Sequence, residues 1–483
     1  MKMSNDLKSK TVHGVAWSFV ERFSVQGITF LLELIIARII GPESYGIIAM
    51  LAIFMAVSQV FIDGGFSSAL IQRKNRDESD FSTVFYINIG ISLLVYLLLF
   101  LAAPAIARFF NEPLLCDITR VYSLNLVINS LVAVNKTKLT IAVDFKTQSK
   151  ISFLSALLSG LLGLAMALMG WGVWALVWQA IALAVLNVIL SFYYVRWYPR
   201  SGFKKESFRR LFAFGSKLLA ATLISSLYSR IYDLVIGKKF TSTHLGLYSR
   251  ADKFNQFAST NISGILSRVS FPVLSEIQDD DNHLLSVYKK YVQMSALVMF
   301  PLILGMAGVA TPMIKALLGD AWMGCVPMLQ VLCLAYLWDC VIMVNLNLIY
   351  VKGHSDYVLR LEIIKKLIAF VILFITMNFG LLAICWGRVI YSIIAFYLNT
   401  YYTKRLLNYG FFTQLREIAP MLLLSVAIGG EALLVSALIS NAWLALISAV
   451  VACIVTYVGL CRLFRIETYG NLVNLIKTRG YGK

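Results

Sequence analysis

Four polar residues stand out in an otherwise apolar stretch because their spacing places them near one face of a single helix. Arg250, Lys253, Asn261 and Arg268 lie within residues 245–272. Arg250 and Arg268 are separated by about five helical turns, so their guanidinium groups share a face about 27 Å apart. Guanidinium and ammonium groups bind anionic oxygens through charge-assisted hydrogen bonds. The pattern therefore predicts a cationic surface for an anionic ligand.

The two arginines also have a structural explanation. Near the two ends of a membrane-spanning helix, Arg250 and Arg268 can extend to the two headgroup layers while their stems stay in the apolar region. Lys253 and Asn261 are harder to explain in this way. Both interpretations remain open from the sequence.

Charged residues also occur in the predicted first and seventh helices. Arg22 and Glu33 lie in the first, and Arg230 and Asp233 lie in the seventh. A carboxylate that faces a water-filled cavity in a membrane can exchange a proton or hold Na⁺. Glu33 and Asp233 are therefore candidate ion-coupling sites, and Arg22 and Arg230 are candidate contacts for an anionic ligand. A structural ion pair is the alternative, since Arg230 and Asp233 are spaced to pair within one helix.

Other charged residues occur singly inside apolar runs. A lone polar group in such a run is more often a hydrogen-bonding partner for a neighbouring helix than a ligand contact. This interpretation applies to Asp63, Asp339, Arg388 and Glu431.

The composition is that of a membrane protein. Of 483 residues, 59% are hydrophobic and 14% are charged, and the mean hydropathy is +0.77. The apolar segments are continuous runs of about 20 residues, which indicates helices and excludes a β-barrel. The net charge of +18 resides mostly in short connectors, which argues against a nucleic-acid partner. Neither the seven cysteines nor the four histidines show the spacing of a metal site, and no nucleotide-binding motif is present.

The chain is predicted to be an all-α polytopic protein with about 14 transmembrane helices. When the N-terminus is placed inside, the inner connectors hold 28 basic residues and the outer ones hold 4, which predicts that both termini are cytoplasmic. The predicted spans are residues 12–40, 45–70, 81–104, 117–136, 149–170, 172–195, 211–236, 245–272, 288–311, 325–350, 359–379, 381–402, 418–439 and 443–463.

An internal repeat divides the predicted helices into bundles. Tyr45-Gly46-Ile47 opens the second helix, and Leu245-Gly246-Leu247 opens the eighth, 200 positions later. Six helices separate the copies, which predicts parallel repeats related by a pseudo-two-fold axis along the membrane normal. The predicted domains are a six-helix bundle over 1–200, a second over 201–406, and two additional helices with a cytoplasmic tail over 407–483.

Several stretches carry a resemblance to a known family. They are GVAW at residues 14–17, ARIIGPESYGIIAM at 37–50, LGLYSRADKFNQF at 245–257 and SEIQDDD at 275–281. Together they resemble the Wzx-type polysaccharide flippases of the multidrug/oligosaccharidyl-lipid/polysaccharide transporter superfamily, over essentially the full length.

The resemblance implies a function at a bacterial inner membrane. It implies that the chain moves a polyprenyl-pyrophosphate-linked oligosaccharide from the inner to the outer leaflet by alternating access, for the biosynthesis of O-antigen, capsule or exopolysaccharide. No enzymatic activity and no cofactor are expected, and coupling to an H⁺ or Na⁺ gradient is left open. The expected partners are the lipid-linked glycan, membrane lipids and the polysaccharide polymerase machinery. The protein itself is expected to be a monomer. A multidrug or cation antiporter of the same fold is one alternative, and a membrane-embedded polymerase or transferase is another.

Overall fold

The computed structural model describes residues 26–470, and every regular element in that range is helical. The first described helix, α1, occupies 26–40, so Arg22 and the start of the predicted span 12–40 lie outside the described residues. A short 3₁₀ helix occupies Asp320–Trp322. The other helices are α2 Pro42–Asp63, α3 Phe66–Gln72, α4 Glu78–Phe110, α5 Leu115–Tyr122, α6 Leu124–Ile141, α7 Phe145–Leu168, α8 Val173–Val195, α9 Lys205–Lys239, α10 Ser242–Glu276, α11 Asp281–Gly308, α12 Ala310–Leu317, α13 Cys325–Tyr336, α14 Asp339–Val351, α15 Ser355–Thr376, α16 Leu381–Leu407, α17 Phe411–Leu438 and α18 Ala442–Leu463.

The described residues include ten helical stretches that are long and apolar enough to cross a membrane. This confirms an all-helical, multi-pass membrane protein. Four predicted spans correspond to helices outside these ten, namely α1, the pair α5 and α6, α10, and α15. The predicted total of 14 spans stays a prediction.

Contacts between Cα atoms divide the chain into two compact units. Unit 1 covers Met1–Gly246 and unit 2 covers Leu247–Lys483, so the division falls inside α10. Helix α9 belongs to unit 1 because it packs along α2 and also contacts α4. The units therefore do not coincide with the bundles inferred from the repeat, whose boundaries at residues 200 and 406 stay predictions.

A pair of glycines separates α2 from α3 in unit 1. Gly64 and Gly65 have φ values of 48° and 73°, in the left-handed region that a residue without Cβ adopts at little cost. The same glycines allow α9 to approach closely, since a Cβ on Gly215 would lie 2.6 Å from the Gly64 carbonyl oxygen. Beyond this break, Phe66 and Leu70 are buried in the apolar core of unit 1.

The first turns of α2 and α10 meet through their backbones, also within unit 1. A Cβ on Gly46 would overlap the carbonyl oxygen of Ser242, and a Cβ on Gly246 would overlap the carbonyl oxygen of Pro42. Each glycine thus faces a carbonyl on the opposite helix, four residues before the glycine of that helix. This reciprocity is what the 200-residue offset predicts at these positions, and the symmetry of the complete halves stays a prediction.

We expect Gly46→Ala or Gly246→Ala to destabilise the protein by about 1–3 kcal/mol or more, because the added methyl group meets backbone that cannot rotate away. The melting temperature of the purified protein measures this effect. Gly90→Ala is the matched control, since a Cβ at Gly90 in α4 meets nothing within 4 Å. Unchanged melting temperatures for both glycine variants would show that this backbone contact does not contribute to stability.

Candidate functional site

A row of small polar residues on α10 is hydrogen-bonded to α13 and α14 within unit 2. These residues recur every fourth position, which places them on one slowly rotating face of the helix. Short hydroxyl and amide side chains of this kind join helices in membranes, because a polar group without a partner is costly there. The contacts are Asn255 Nδ2 donating to the Leu329 carbonyl at 3.4 Å, the Ser259 hydroxyl donating to Asp339 at 2.7 Å, Ser263 Oγ and Cys340 Sγ at 3.3 Å, and the Ser267 hydroxyl donating to Asn347 at 3.2 Å.

An ion pair between α10 and α16 lies beside this row. The Arg388 guanidinium contacts the Asp252 carboxylate and donates to the Tyr248 hydroxyl at 2.9 Å. The Tyr336 hydroxyl donates to the same carboxylate at 2.8 Å, and its ring lies 5.0 Å from the guanidinium carbon. The charges of Arg388 and Asp252 are therefore compensated inside unit 2.

The four α10 residues predicted to bind an anion do not share one environment. Arg250 is only 3% exposed, and its guanidinium carbon lies 5.5 Å from the centre of the Trp322 ring. Lys253 and Arg268 are exposed. Asn261 is half-buried, and its amide donates to the Phe257 carbonyl of its own helix at 2.7 Å. The structure thus separates a buried arginine from two exposed cations.

The predicted residues of unit 1 lie on α1 and α9. Arg230 and Asp233 form an ion pair at 3.4 Å within α9, as the structural alternative for these residues predicts. The side chain of Arg230 is 48% exposed and that of Asp233 is 14% exposed. Glu33 is half-buried, and the Tyr45 hydroxyl donates to its backbone carbonyl at 3.1 Å. Arg22 lies outside the described residues.

The prediction that lone polar residues join helices is confirmed at three positions. Asp339 and Arg388 form the contacts described above, and Glu431 on α17 accepts from the Thr456 hydroxyl on α18 at 2.9 Å. The prediction is wrong for Asp63, whose carboxylate accepts from Gln59 one turn earlier in α2 at 3.1 Å. The chain breaks at Gly64 immediately after Asp63, and this places the carboxylate at a cavity instead of against another helix.

Sequence reasoning did not identify Asp252 and Tyr336 as partners of Arg388. A signal was available, since Asp252 and Arg388 are opposite charges in separate apolar surroundings and each needs compensation. In chemical terms, α10 uses one face for hydrogen bonds to neighbouring helices and carries exposed cations elsewhere on its surface. Such cations can hold an anionic group without making or breaking bonds.

Two bacterial proteins of polysaccharide biosynthesis are similar in sequence to this chain. The teichuronic acid biosynthesis protein TuaB of Bacillus subtilis is 27% identical over 376 residues, covering 77% of this chain and 78% of that protein. The lipopolysaccharide biosynthesis protein WzxC of Escherichia coli is 24% identical over 362 residues, covering 74% and 73%.

Solved structures share the fold. The structure described as lipid II flippase MurJ in an inward closed conformation matches with a TM-score of 0.75 at 14% identity, covering 95% of this chain and 100% of that one. A multidrug resistance transporter of the MATE family matches with a TM-score of 0.61 at 14% identity, covering 81% and 98%. Residues 35–327, more than half of the chain, match the family described as polysaccharide biosynthesis protein. The resemblance seen in the sequence is thereby confirmed, and the chain belongs to the polysaccharide biosynthesis protein family.

Proposed function

We propose that this protein is a flippase that moves a polyprenyl-pyrophosphate-linked oligosaccharide across the bacterial cytoplasmic membrane by alternating access, with the cavity open to one membrane face at a time. The observation that carries the proposal is the match of residues 35–327 to the polysaccharide biosynthesis family. The relatives named for teichuronic acid and lipopolysaccharide biosynthesis support the glycan as cargo. The fold alone does not distinguish a lipid flippase from a multidrug transporter, because it is shared with both.

The cations of α10 provide the chemistry for the anionic part of this cargo. A pyrophosphate offers only hydrogen-bond acceptors and carries negative charge, which matches the donors of Arg and Lys. Lys253 and Arg268 are exposed, whereas a row of small polar side chains on the same helix is hydrogen-bonded to α13 and α14. Arg250 is the third member of the proposed pyrophosphate site. Its guanidinium group is buried next to the Trp322 ring, so it contributes positive charge from beneath the surface. Arg22, Arg230 and Asn261 complete the proposed substrate contacts.

The remaining features are proposed from the family and the charge distribution. They are 14 spans in two six-helix bundles with two C-terminal helices, both termini in the cytoplasm, a monomer that contacts polysaccharide polymerase machinery, and a transport role without enzymatic chemistry. Glu33 and Asp233 are proposed to couple flipping to H⁺ or Na⁺.

Lys253→Ala and Arg268→Ala should each lower affinity for polyprenyl pyrophosphate about tenfold to a hundredfold, since each removes a charge-assisted contact worth about 1.5–3 kcal/mol. Arg268→Lys should fall between wild type and alanine, because an ammonium cannot form the two parallel bonds of a guanidinium. Arg250→Ala should also lower the melting temperature and abolish polysaccharide export. Lipid binding to purified protein measures the affinities.

The control for these variants is Arg360→Ala, which removes an exposed guanidinium from α15. Its lipid affinity should equal that of wild type. Wild-type affinity and full export in a Lys253→Ala/Arg268→Ala double variant would remove these two α10 cations from substrate binding.

Reporter fusions test the topology. Fusions after Gly202 and Lys483 should report a cytoplasmic location, and fusions after Pro42 and Gly319 should report an external one, because basic connectors remain on the cytoplasmic side. A cytoplasmic signal after Gly319 would contradict the proposed arrangement of spans.

Glu33→Gln and Asp233→Asn test the coupling. At least one should change the pH or Na⁺ dependence of flipping in reconstituted vesicles, because the neutral side chain can no longer exchange a proton or hold a cation. Asp117→Asn, at an exposed position on α5, is the control. If the double variant Glu33→Gln/Asp233→Asn keeps the wild-type ion dependence, both acids are structural.

A further inference from the structure

Unit 1 contains a cavity, lined by both polar and apolar side chains, that none of the proposed substrate contacts accounts for. Its volume is about 650 Å³, within the range of about 300–1,000 Å³ that is usual for ligand pockets. Helices α2, α3, α6 and α9 all contribute to its wall, and nine of its sixteen lining residues are polar. The break at Gly64 and Gly65 creates one side of it, because the chain changes direction between Asp63 and the serines of α3.

The hydrogen bonds of the lining residues determine what the cavity offers to a ligand. Three threonine hydroxyls donate to carbonyls of their own helices: Thr137 to Ala133 at 2.9 Å, Thr140 to Lys136 at 3.0 Å and Thr222 to Leu218 at 2.8 Å. With their protons engaged in this way, these hydroxyl oxygens remain available as acceptors.

The amides of the cavity behave similarly. Asn129 Nδ2 donates to the Asn125 carbonyl at 2.9 Å, and Gln59 Nε2 donates to the Asp63 carboxylate at 3.1 Å. One hydrogen of each amide group is therefore engaged, and each amide oxygen is available. Asp63 adds the second oxygen of its carboxylate.

The donors that face the cavity are the second hydrogen of each amide, one ammonium group and two serine hydroxyls. Lys136 provides an ammonium group that forms no ion pair with the described residues, although it shares the cavity with the opposite charge of Asp63. The hydroxyls of Ser67 and Ser68 make no hydrogen bond in the described part of the chain and can donate or accept. The cavity is thus rich in acceptors, with a single cation and a single anion.

This chemistry distinguishes between the parts of the proposed cargo. A pyrophosphate only accepts hydrogen bonds, so the acceptor oxygens of the threonines and amides and the carboxylate of Asp63 disfavour it. A sugar presents many hydroxyl groups that can donate to those oxygens, and each hydroxyl can accept from Lys136 or a serine. A dehydrated cation would share the cavity with the Lys136 charge, which opposes its binding.

We propose that this cavity is a saccharide-binding subsite for the glycan of the lipid-linked substrate. The proposal rests on the proposed flippase function and adds a separate location for the sugar. The subsite binds hydroxyl groups through Asp63, Gln59, Asn129 and the threonines of α6, with Lys136 as the principal donor.

The test compares two lipid probes on purified full-length protein. One is polyprenyl pyrophosphate that bears the oligosaccharide, and the other is polyprenyl pyrophosphate without sugar. Wild type should bind the glycan-bearing lipid more tightly. Asp63→Asn should reduce its affinity for that lipid about tenfold to a hundredfold, and Thr137→Val about twofold to tenfold, while affinity for the sugarless lipid stays unchanged.

Matched controls keep the test specific. Thr376→Val on α15 removes a hydroxyl that donates to the Ile372 carbonyl in the same intrahelical manner as Thr137, and Asp117→Asn removes an exposed carboxylate on α5. Both controls should bind both lipids as wild type does. Unchanged binding of the sugarless lipid by the cavity variants also shows that they are folded.

Several results would overturn the subsite. An equal loss of affinity for both lipids in the cavity variants would mean that the cavity supports the fold or the pyrophosphate, and no loss for either would mean that it takes no part in binding. Loss of Na⁺-dependent stabilisation in Asp63→Asn, with glycan preference retained, would identify an ion site instead. If wild type binds the two lipids equally, the subsite fails and the flippase proposal stands. If wild type binds neither lipid, the flippase proposal fails as well.

Discussion

Charged and hydrogen-bonding groups placed between apolar helices must be compensated within the protein, since lipid offers no partners. In unit 2 this requirement is met by the contact between Arg388 on α16 and Asp252 on α10, with the hydroxyls of Tyr248 and Tyr336 completing the cluster. This contact determines the position of α10 and which of its faces is directed toward α16. Once Asp252 is directed toward α16, the small polar residues at every fourth position of α10 face α13 and α14, and they form hydrogen bonds there.

The same rotation determines which α10 cations are exposed. Lys253, immediately after Asp252, and Arg268, four turns later, are exposed, whereas Arg250 is covered by Trp322. The polar residues of one membrane helix therefore need not all have the same role. On α10, many of the polar side chains join helices, and two of its cations, Lys253 and Arg268, are exposed.

The helices and the membrane class were predictable from the sequence because they depend on local properties, namely apolar runs near 20 residues and breaks at glycine and charged connectors. The glycines that open α2 and α10 were recognised as a repeat, and the structure shows why those positions lack a side chain. Helical periodicity assigned Arg250 and Arg268 to one face, but it cannot show that Trp322, 72 residues later, covers the first of them. The position of Asp63 at a cavity was also missed, because that cavity is formed by α2 and α3 together with α6 and α9, which are distant from them in sequence.

The two proposed binding surfaces have opposite hydrogen-bonding character, and this difference suits a substrate with two chemically distinct parts. The exposed cations of α10 offer donors and positive charge, which a pyrophosphate needs. The threonines and amides of the cavity in unit 1 offer acceptor oxygens, because the protons of the threonines and one hydrogen of each amide are already engaged. A pyrophosphate placed in that cavity would meet acceptors, and a sugar placed against α10 would meet charges that its hydroxyl groups do not require. The proposed surfaces therefore differ in chemistry as the pyrophosphate and the glycan of a lipid-linked saccharide differ, and neither requires a close fit to one particular sugar sequence.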